Sequence, residues 1–222
     1  MSPYRQHPAN FQLQHDLTNN RGLSMTQQLP PVLEGYSRLY LCRHGQTDFN
    51  CQRKLQGRGV NMQLNANGLD QAKYLAKAMK DVPLSGIYSS SLTRAFQTAD
   101  AVAKFHPEIQ VESFSEVEEM NFGELEGHSM KIHDDQIRSM FKRWEKGEFN
   151  ASWPGGESPM DVVNRGVKKI TEVMSTTLPK EQVLMIHQDN TCVNVIDFDH
   201  ATQTYCAMAL NNINHLPSPP SV

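Results

Sequence analysis

Leu39-Tyr40-Leu41-Cys42-Arg43-His44-Gly45-Gln46-Thr47 is the stretch on which the reading of this chain turns. Arg38 to Cys42 is short and largely apolar, as a buried strand is, and it gives way at once to a cation, an imidazole and a glycine. A second run, Gln182-Val183-Leu184-Met185-Ile186, ends the same way on His187. Between them helix-like and strand-like segments alternate. Asn65 to Lys80 has helical spacing, with Leu69, Ala72, Leu75, Ala76 and Met79 on one face. Ser85 to Ser89 reads as a strand, Leu92 to Phe105 as a helix capped by a serine of Ser89-Ser90-Ser91, and Ile109 to Phe114 as an edge strand. Asp134 to Lys146 reads as an amphipathic helix. Ser158-Pro159-Met160-Asp161 opens another, with the serine at the N-cap, proline in the first position and aspartate as capping partner. A further helix is expected after His187, then a last strand near Ala207 to Leu216. Such alternation predicts an α/β layered fold with a mostly parallel sheet, whose ligands sit beyond the carboxyl ends of the strands. Arg43-His44 and His187 fall at that edge.

The chain has 222 residues, enough for one domain, placed at 36–216. Residues 1–35, rich in Gln, Asn, His and Pro, read as a disordered or loosely attached extension, and 217–222 as a flexible tail. The net charge of −3 argues against a general nucleic-acid binder. No apolar run approaches the ~18 residues of a membrane span. The four cysteines show no CxxC spacing and suit thiols in a reducing, cytoplasmic compartment. The N-terminus lacks a secretory apolar stretch, and organellar targeting by residues 1–35 is left open.

The candidate chemistry is phosphoryl transfer, which needs positive charge and donors for the nonbridging oxygens, an in-line nucleophile, and a proton for the leaving oxygen. A neutral imidazole serves as nucleophile near neutral pH, and the planar fork of arginine grips two oxygens at once. Arg43-His44-Gly45 supplies the first set. Arg94 falls in the first turn of a helix, where backbone N–H groups favour anions. Glu118-Glu119-Met120-Asn121-Phe122-Gly123 offers a general acid. Each feature alone has a plainer reading: a solvated loop pair, a surface arginine, an acidic run, a core histidine. His128 and His133 lack a carboxylate spacing to complete a metal site, and no metal is assigned.

Taken in order, these segments resemble the histidine phosphatase superfamily. Leu41 to Thr47 resembles its nucleophile motif, Leu55-Gln56-Gly57-Arg58 its phosphate-loop segment, and Tyr88 to Ala99 its second arginine motif. Glu119 to Gly127 resembles its acid motif, and Trp153-Pro154-Gly155-Gly156-Glu157-Ser158 is also typical. The resemblance covers roughly residues 36–216. It implies a three-layer α/β/α sandwich with a mostly parallel mixed sheet, phosphoglycerate mutase-like. It further implies a metal-independent phosphomonoesterase that needs no cofactor and acts on a small phosphorylated metabolite, such as a sugar phosphate. His44 would become a phosphohistidine. Arg43, Arg94 and His187 would hold the phosphate, Asn50, Gln56, Gly57 and Gln188 would line its site, and Glu119 would protonate the leaving group. A homodimer is compatible with this reading.

One departure stands out. The family usually has glycine after the second histidine, whereas this chain has Gln188-Asp189. A glutamine side chain crowds an anion site, and an aspartate opposes anion binding. Two alternatives follow: a phosphoglycerate mutase, disfavoured by the short stretch between the acid and the second histidine, and a phosphate-binding or scaffold member with weakened turnover. Substrate choice is expected to come from residues 127–158, where Lys131, Lys142, Arg143 and Lys146 mix with Phe141, Trp144 and Trp153.

Overall fold

The computed structural model describes residues 24–187 and 192–212. Six strands, β1 (Tyr36–Arg43), β2 (Leu84–Ser90), β3 (Val111–Phe114), β4 (Gln182–His187), β5 (Val193–Asp199) and β6 (Thr204–Asn212), form one sheet in the order β3-β2-β4-β1-β5-β6. The first four are mutually parallel, and β5 and β6 extend the sheet antiparallel beyond β1. The helices are α1 (Met25–Gln28), α2 (Asp48–Cys51), α3 (Ala66–Met79), α4 (Thr93–Ala103), α5 (Asp134–Glu145) and α6 (Pro159–Thr176).

The period-two alternation of the strands divides their side chains between two cores. Tyr40, Ile87, Leu184 and Ile186 pack under α3 and α4 with Leu75, Met79 and Val102. Leu39, Val183, Met185 and Phe198 face the other way and meet Val173 and Met174 of α6. The expected three-layer, mostly parallel mixed sheet is what forms. Leu55, Leu125, Ile137, Met140 and Trp153 make a third cluster beneath α5. Among the described residues, no helix is long and apolar enough to cross a membrane.

The capping reading of α6 is met in full: Ser158 Oγ accepts the Asp161 N–H, the Asp161 carboxylate accepts the Ser158 N–H, and Pro159 takes the first helical position. Four other expectations are corrected. Leu69 is exposed; the buried face of α3 begins one residue earlier, at Gly68, because the helix start lies against the Gly45-Gln46 backbone. The N-cap of α4 is Leu92 rather than a serine, and the Thr93 N–H is taken by Asn61 Oδ1. Where a helix is expected after His187, residues 193–199 are strand β5; Val193, Val195 and Phe198 are buried in a β-branched, alternating run that fits a sheet better than a helix. Residues 24–35, assigned to the loose extension, are tied to the domain: Met25 is fully buried among α3 and α4 side chains, and the Pro30 carbonyl accepts a bond from Arg38. Residues 1–23 and 213–222, with the expected tail and the end of the last strand, lie outside the described residues.

Arg38 and Asp197 lock the far end of the sheet. The guanidinium grips the carboxylate with two bonds, Nε to Oδ1 at 2.6 Å and Nη2 to Oδ2 at 2.8 Å, while Nη1 donates to Pro30 O at 2.7 Å. Both side chains are buried, so removing one leaves the other's charge stranded. Asp197→Ala is therefore expected to cost about 3–5 kcal/mol in urea unfolding, whereas the paired replacement Arg38→Met with Asp197→Leu costs clearly less.

Candidate active site

The C-terminal edge of the parallel strands gathers the candidate residues. Arg43 ends β1 and His187 ends β4, and the two are register partners in the parallel pair. The chain turns after Arg43, which brings His44 into the interior at 3% exposure. Two helices hold this turn by side-chain bonds to its backbone. Thr98 Oγ1 of α4 accepts the Gly45 N–H at 3.0 Å and itself donates to Arg94 O. Gln71 Oε1 of α3 accepts the Gln46 N–H at 2.8 Å. Gly45 and Gly68 approach so closely that a Cβ on either would land on the other segment's backbone, and this contact lets the start of α3 abut the histidine turn.

The ring of His44 is fixed in one tautomer by its partners. Nδ1 lies 2.6 Å from Gly45 O, which only accepts, so Nδ1 carries the proton. Nε2 lies 3.1 Å from Arg94 Nε–H, which only donates, so Nε2 holds the lone pair. Arg94 is 1% exposed and is anchored by Nη1 to Val60 O at 2.9 Å and Nη2 to Gly57 O at 3.3 Å. Among the described residues, the second N–H of each terminal nitrogen meets no acceptor. Burial pushes the Arg94 guanidinium down from its ordinary value, opposed by Glu119, Glu126 and Glu118. Burial likewise takes Arg43 down to about 10, with Cys192 and Glu119 pulling the other way. Both groups remain cations at neutral pH, poorly solvated and close to the same glutamate.

Glu118 and Glu119 have separate tasks. The Glu118 carboxylate is held by Arg58, Nε at 2.8 Å and Nη2 at 2.7 Å, and by the Ser91 hydroxyl. Glu119 is half-buried, accepts the Met120 N–H at 2.8 Å, and acts electrostatically on both Arg43 and Arg94.

The remaining candidates divide. Gly57 is needed as glycine, because a Cβ there would collide with the Glu126 carboxylate and Met120 O, and its carbonyl supports Arg94. Gln56 is buried, and its Oε1 accepts from Thr47 Oγ1 at 2.8 Å. Asn50 gives its oxygen to the Thr47 N–H at 2.9 Å in the cap of α2, so only its amide donors are left for a ligand. Their contact with phosphate thus remains a proposal. Of His187 the structure gives the strand position, and Gln188-Asp189 lies outside the described residues. Trp153 is buried core, with Trp144 packed edge-on against it and bonded through Nε1 to Ala151 O, so these aromatics support the fold rather than a substrate. Arg143 is paired with Glu148.

The sequence reading missed four supporting residues: Thr98, Gln71, Arg58 and Arg165. Thr98 lies within the quoted arginine motif, two helical residues beyond Phe96, and its position one turn from Arg94 is the signal that marks it. Gln71 shows as a polar residue beside the apolar face of α3.

This fold and site define a class: an α/β sandwich with an imidazole and guanidinium cluster at the carboxyl edge of its parallel strands. A family model described as histidine phosphatase superfamily (branch 1) matches residues 39–188, well over half of the chain, and the chain belongs to that superfamily. It is 29% identical over 127 residues to Phosphoglycerate mutase-like protein 4 of Arabidopsis thaliana, covering 57% of this chain and 55% of that protein. It is 30% identical over 146 residues to Fructose-2,6-bisphosphatase TIGAR of Bos taurus, covering 64% and 52%. The chain thus spans about half the length of these relatives. A phosphoglycerate mutase structure from Bacillus anthracis superposes with a TM-score of 0.73 at 20% identity, covering 82% of this chain and 96% of that one.

The link between Thr98 and the histidine turn is open to test. Thr98→Val keeps the shape but strands the Gly45 N–H, and is expected to lower stability by about 1–3 kcal/mol in urea unfolding.

Proposed function

We propose that this chain is a metal-independent phosphomonoesterase that hydrolyses a small phosphorylated metabolite through a phosphohistidine on His44. One observation carries the reading: the His44 ring is held with its Nε2 lone pair on the Arg94 guanidinium, where a phosphoryl group would be gripped.

The substrate's nonbridging oxygens take the Arg94 Nε–H from His44 and the second N–H of each terminal nitrogen, with Arg43 and His187 completing the cradle. The freed Nε2 lone pair attacks phosphorus, and the bond to the ester oxygen breaks. Glu119, protonated at that point, gives its proton to the departing alkoxide. Its carboxylate then takes a proton from water as that water attacks the phosphohistidine, which releases phosphate and restores both residues. The Nδ1 bond to Gly45 O stabilises the imidazolium that forms in between. The reading needs no metal, because the guanidinium groups and His187 carry the charge. Work in the cytoplasm and a sugar phosphate as substrate belong to the same proposal. The relatives named for mutase and bisphosphatase activities support phosphoryl chemistry at large.

A second reading, a phosphate-binding member with weak turnover, is favoured by the short connection of residues 188–192 between β4 and β5 and by the Gln188-Asp189 it contains. A panel of phosphate esters decides between them. Phosphate release is expected from the native chain, none above background from His44→Ala, and a loss of roughly 10²–10⁴-fold in kcat from Glu119→Gln with alkyl phosphates. Equal release by the native chain and His44→Ala would end the covalent reading. Phosphate binding without release would establish the second, and transfer between phosphoglycerates primed by a bisphosphate would establish a mutase.

A further inference from the structure

We infer that Arg165 is a positioning residue for the general acid: it fixes the backbone of Glu119 so that its carboxyl meets the leaving oxygen. The inference rests on the reading of Glu119 as the proton donor.

Glu119 lies between a 3-10 turn at Ser115–Val117 and another at Gly123–Leu125, outside every helix and strand. No ladder of backbone bonds sets its position, although a general acid must lie within hydrogen-bond reach of the oxygen it protonates. A misplacement of about 1 Å is enough to cost roughly 10²-fold in rate. Arg165 adds a constraint from α6. Its Nη1 donates to Glu116 O at 2.8 Å and Glu118 O at 2.7 Å, and its Nη2 donates to Glu119 O at 2.9 Å. The other Nη2 hydrogen and Nε–H go to the two oxygens of Glu157, each at 2.8 Å. All five N–H groups of the guanidinium are thereby used, three of them on carbonyls of the acid segment.

Glu157 completes the clamp on the far side. Its Oε2 accepts the Asn121 N–H at 2.8 Å, so the segment is gripped before and after Glu119 by one ion pair. Burial works against the charge on Glu157, but the bonds from Arg165 and the Asn121 N–H outweigh it and hold its carboxyl below the ordinary range. Arg58 extends the connection, with Nη1 3.4 Å from Glu157 and Nε on Glu118, whose other oxygen meets Ser91 just before α4. The acid segment is thus referenced to the same helix that carries Arg94. The start of α6 is itself fixed by the Ser158–Asp161 cap, which gives Arg165 a rigid base. Lysine has three donors on one nitrogen and cannot span these five acceptors.

The test compares leaving groups within one protein sample, so that the folded fraction cancels. With glycerol 2-phosphate, whose alkoxide needs a proton, Arg165→Lys and Arg165→Met are expected to lower kcat/KM about 10²-fold. With 2,4-dinitrophenyl phosphate, whose leaving group departs unprotonated, the loss in kcat/KM, which reports formation of the phosphohistidine and not the later attack of water, is expected to stay within about five-fold, the same pattern as Glu119→Gln. Adding Arg165→Lys to Glu119→Gln should then cost little more, because both act on one step. Amide hydrogen exchange of residues 116–121 should quicken in both Arg165 variants. Equal losses on the two substrates, multiplicative losses in the double variant, or unchanged exchange at 116–121 would each overturn the inference. Failure of the phosphatase reading shows separately, as indifference of the native activity to His44→Ala; the exchange measurement still decides whether Arg165 holds the segment.

Discussion

Arg43 and Arg94 are cations withdrawn from water at the carboxyl edge of the parallel strands, and much of the structure around them serves to keep them there. Burial lowers both guanidinium groups from their ordinary range. What opposes that cost differs between them. Arg94 has two carbonyls, the His44 ring and the fields of Glu119, Glu126 and Glu118. Arg43 has the nearby Glu119 and Cys192.

This constraint also explains why two adjacent glutamates differ. Glu118 is committed to Arg58 and Ser91 and serves as a fixed counter-charge. Glu119 keeps its carboxyl near the arginines, and its backbone is held by a third arginine from a helix on the opposite face of the sheet. Four arginines and four glutamates around the site, Arg43, Arg58, Arg94 and Arg165 with Glu118, Glu119, Glu126 and Glu157, divide the work. In the proposed function, some meet the reacting groups and the others keep those groups still.

Away from the site, the fold follows from ordinary burial. Alternating strand residues fill two cores, α3 and α4 cover one face, and α6 covers the other. The Arg38–Asp197 pair pins β1, β5 and the segment after α1 at the edge opposite the site. That pair was not visible in the sequence, because the two residues lie 159 positions apart and neither interrupts a recognisable pattern.

The local signals were read correctly where the physics is local. Periodicity marked β1, β2, β4, α3 and α5, and Ser158-Pro159-Met160-Asp161 marked the start of α6, because caps and amphipathic faces involve residues a few positions apart. The resemblance of the His44, Arg94 and Glu119 segments carried the family. The reading failed at β5, where the strand-helix alternation led to a helix after His187 and the period-two pattern of Val193 to Asp199 was passed over. It failed again at residues 24–35, whose order comes from Met25 meeting side chains some fifty residues on. The sequence by itself determined which residue types stand at the ends of β1 and β4, and hence the kind of chemistry on offer. Only the tertiary structure decided the tautomer of His44, the division of labour between Glu118 and Glu119, and the grip of Arg165 on the acid segment. Each of these depends on partners tens of residues away, or on a carbonyl's direction, and no pattern along the chain encodes that direction.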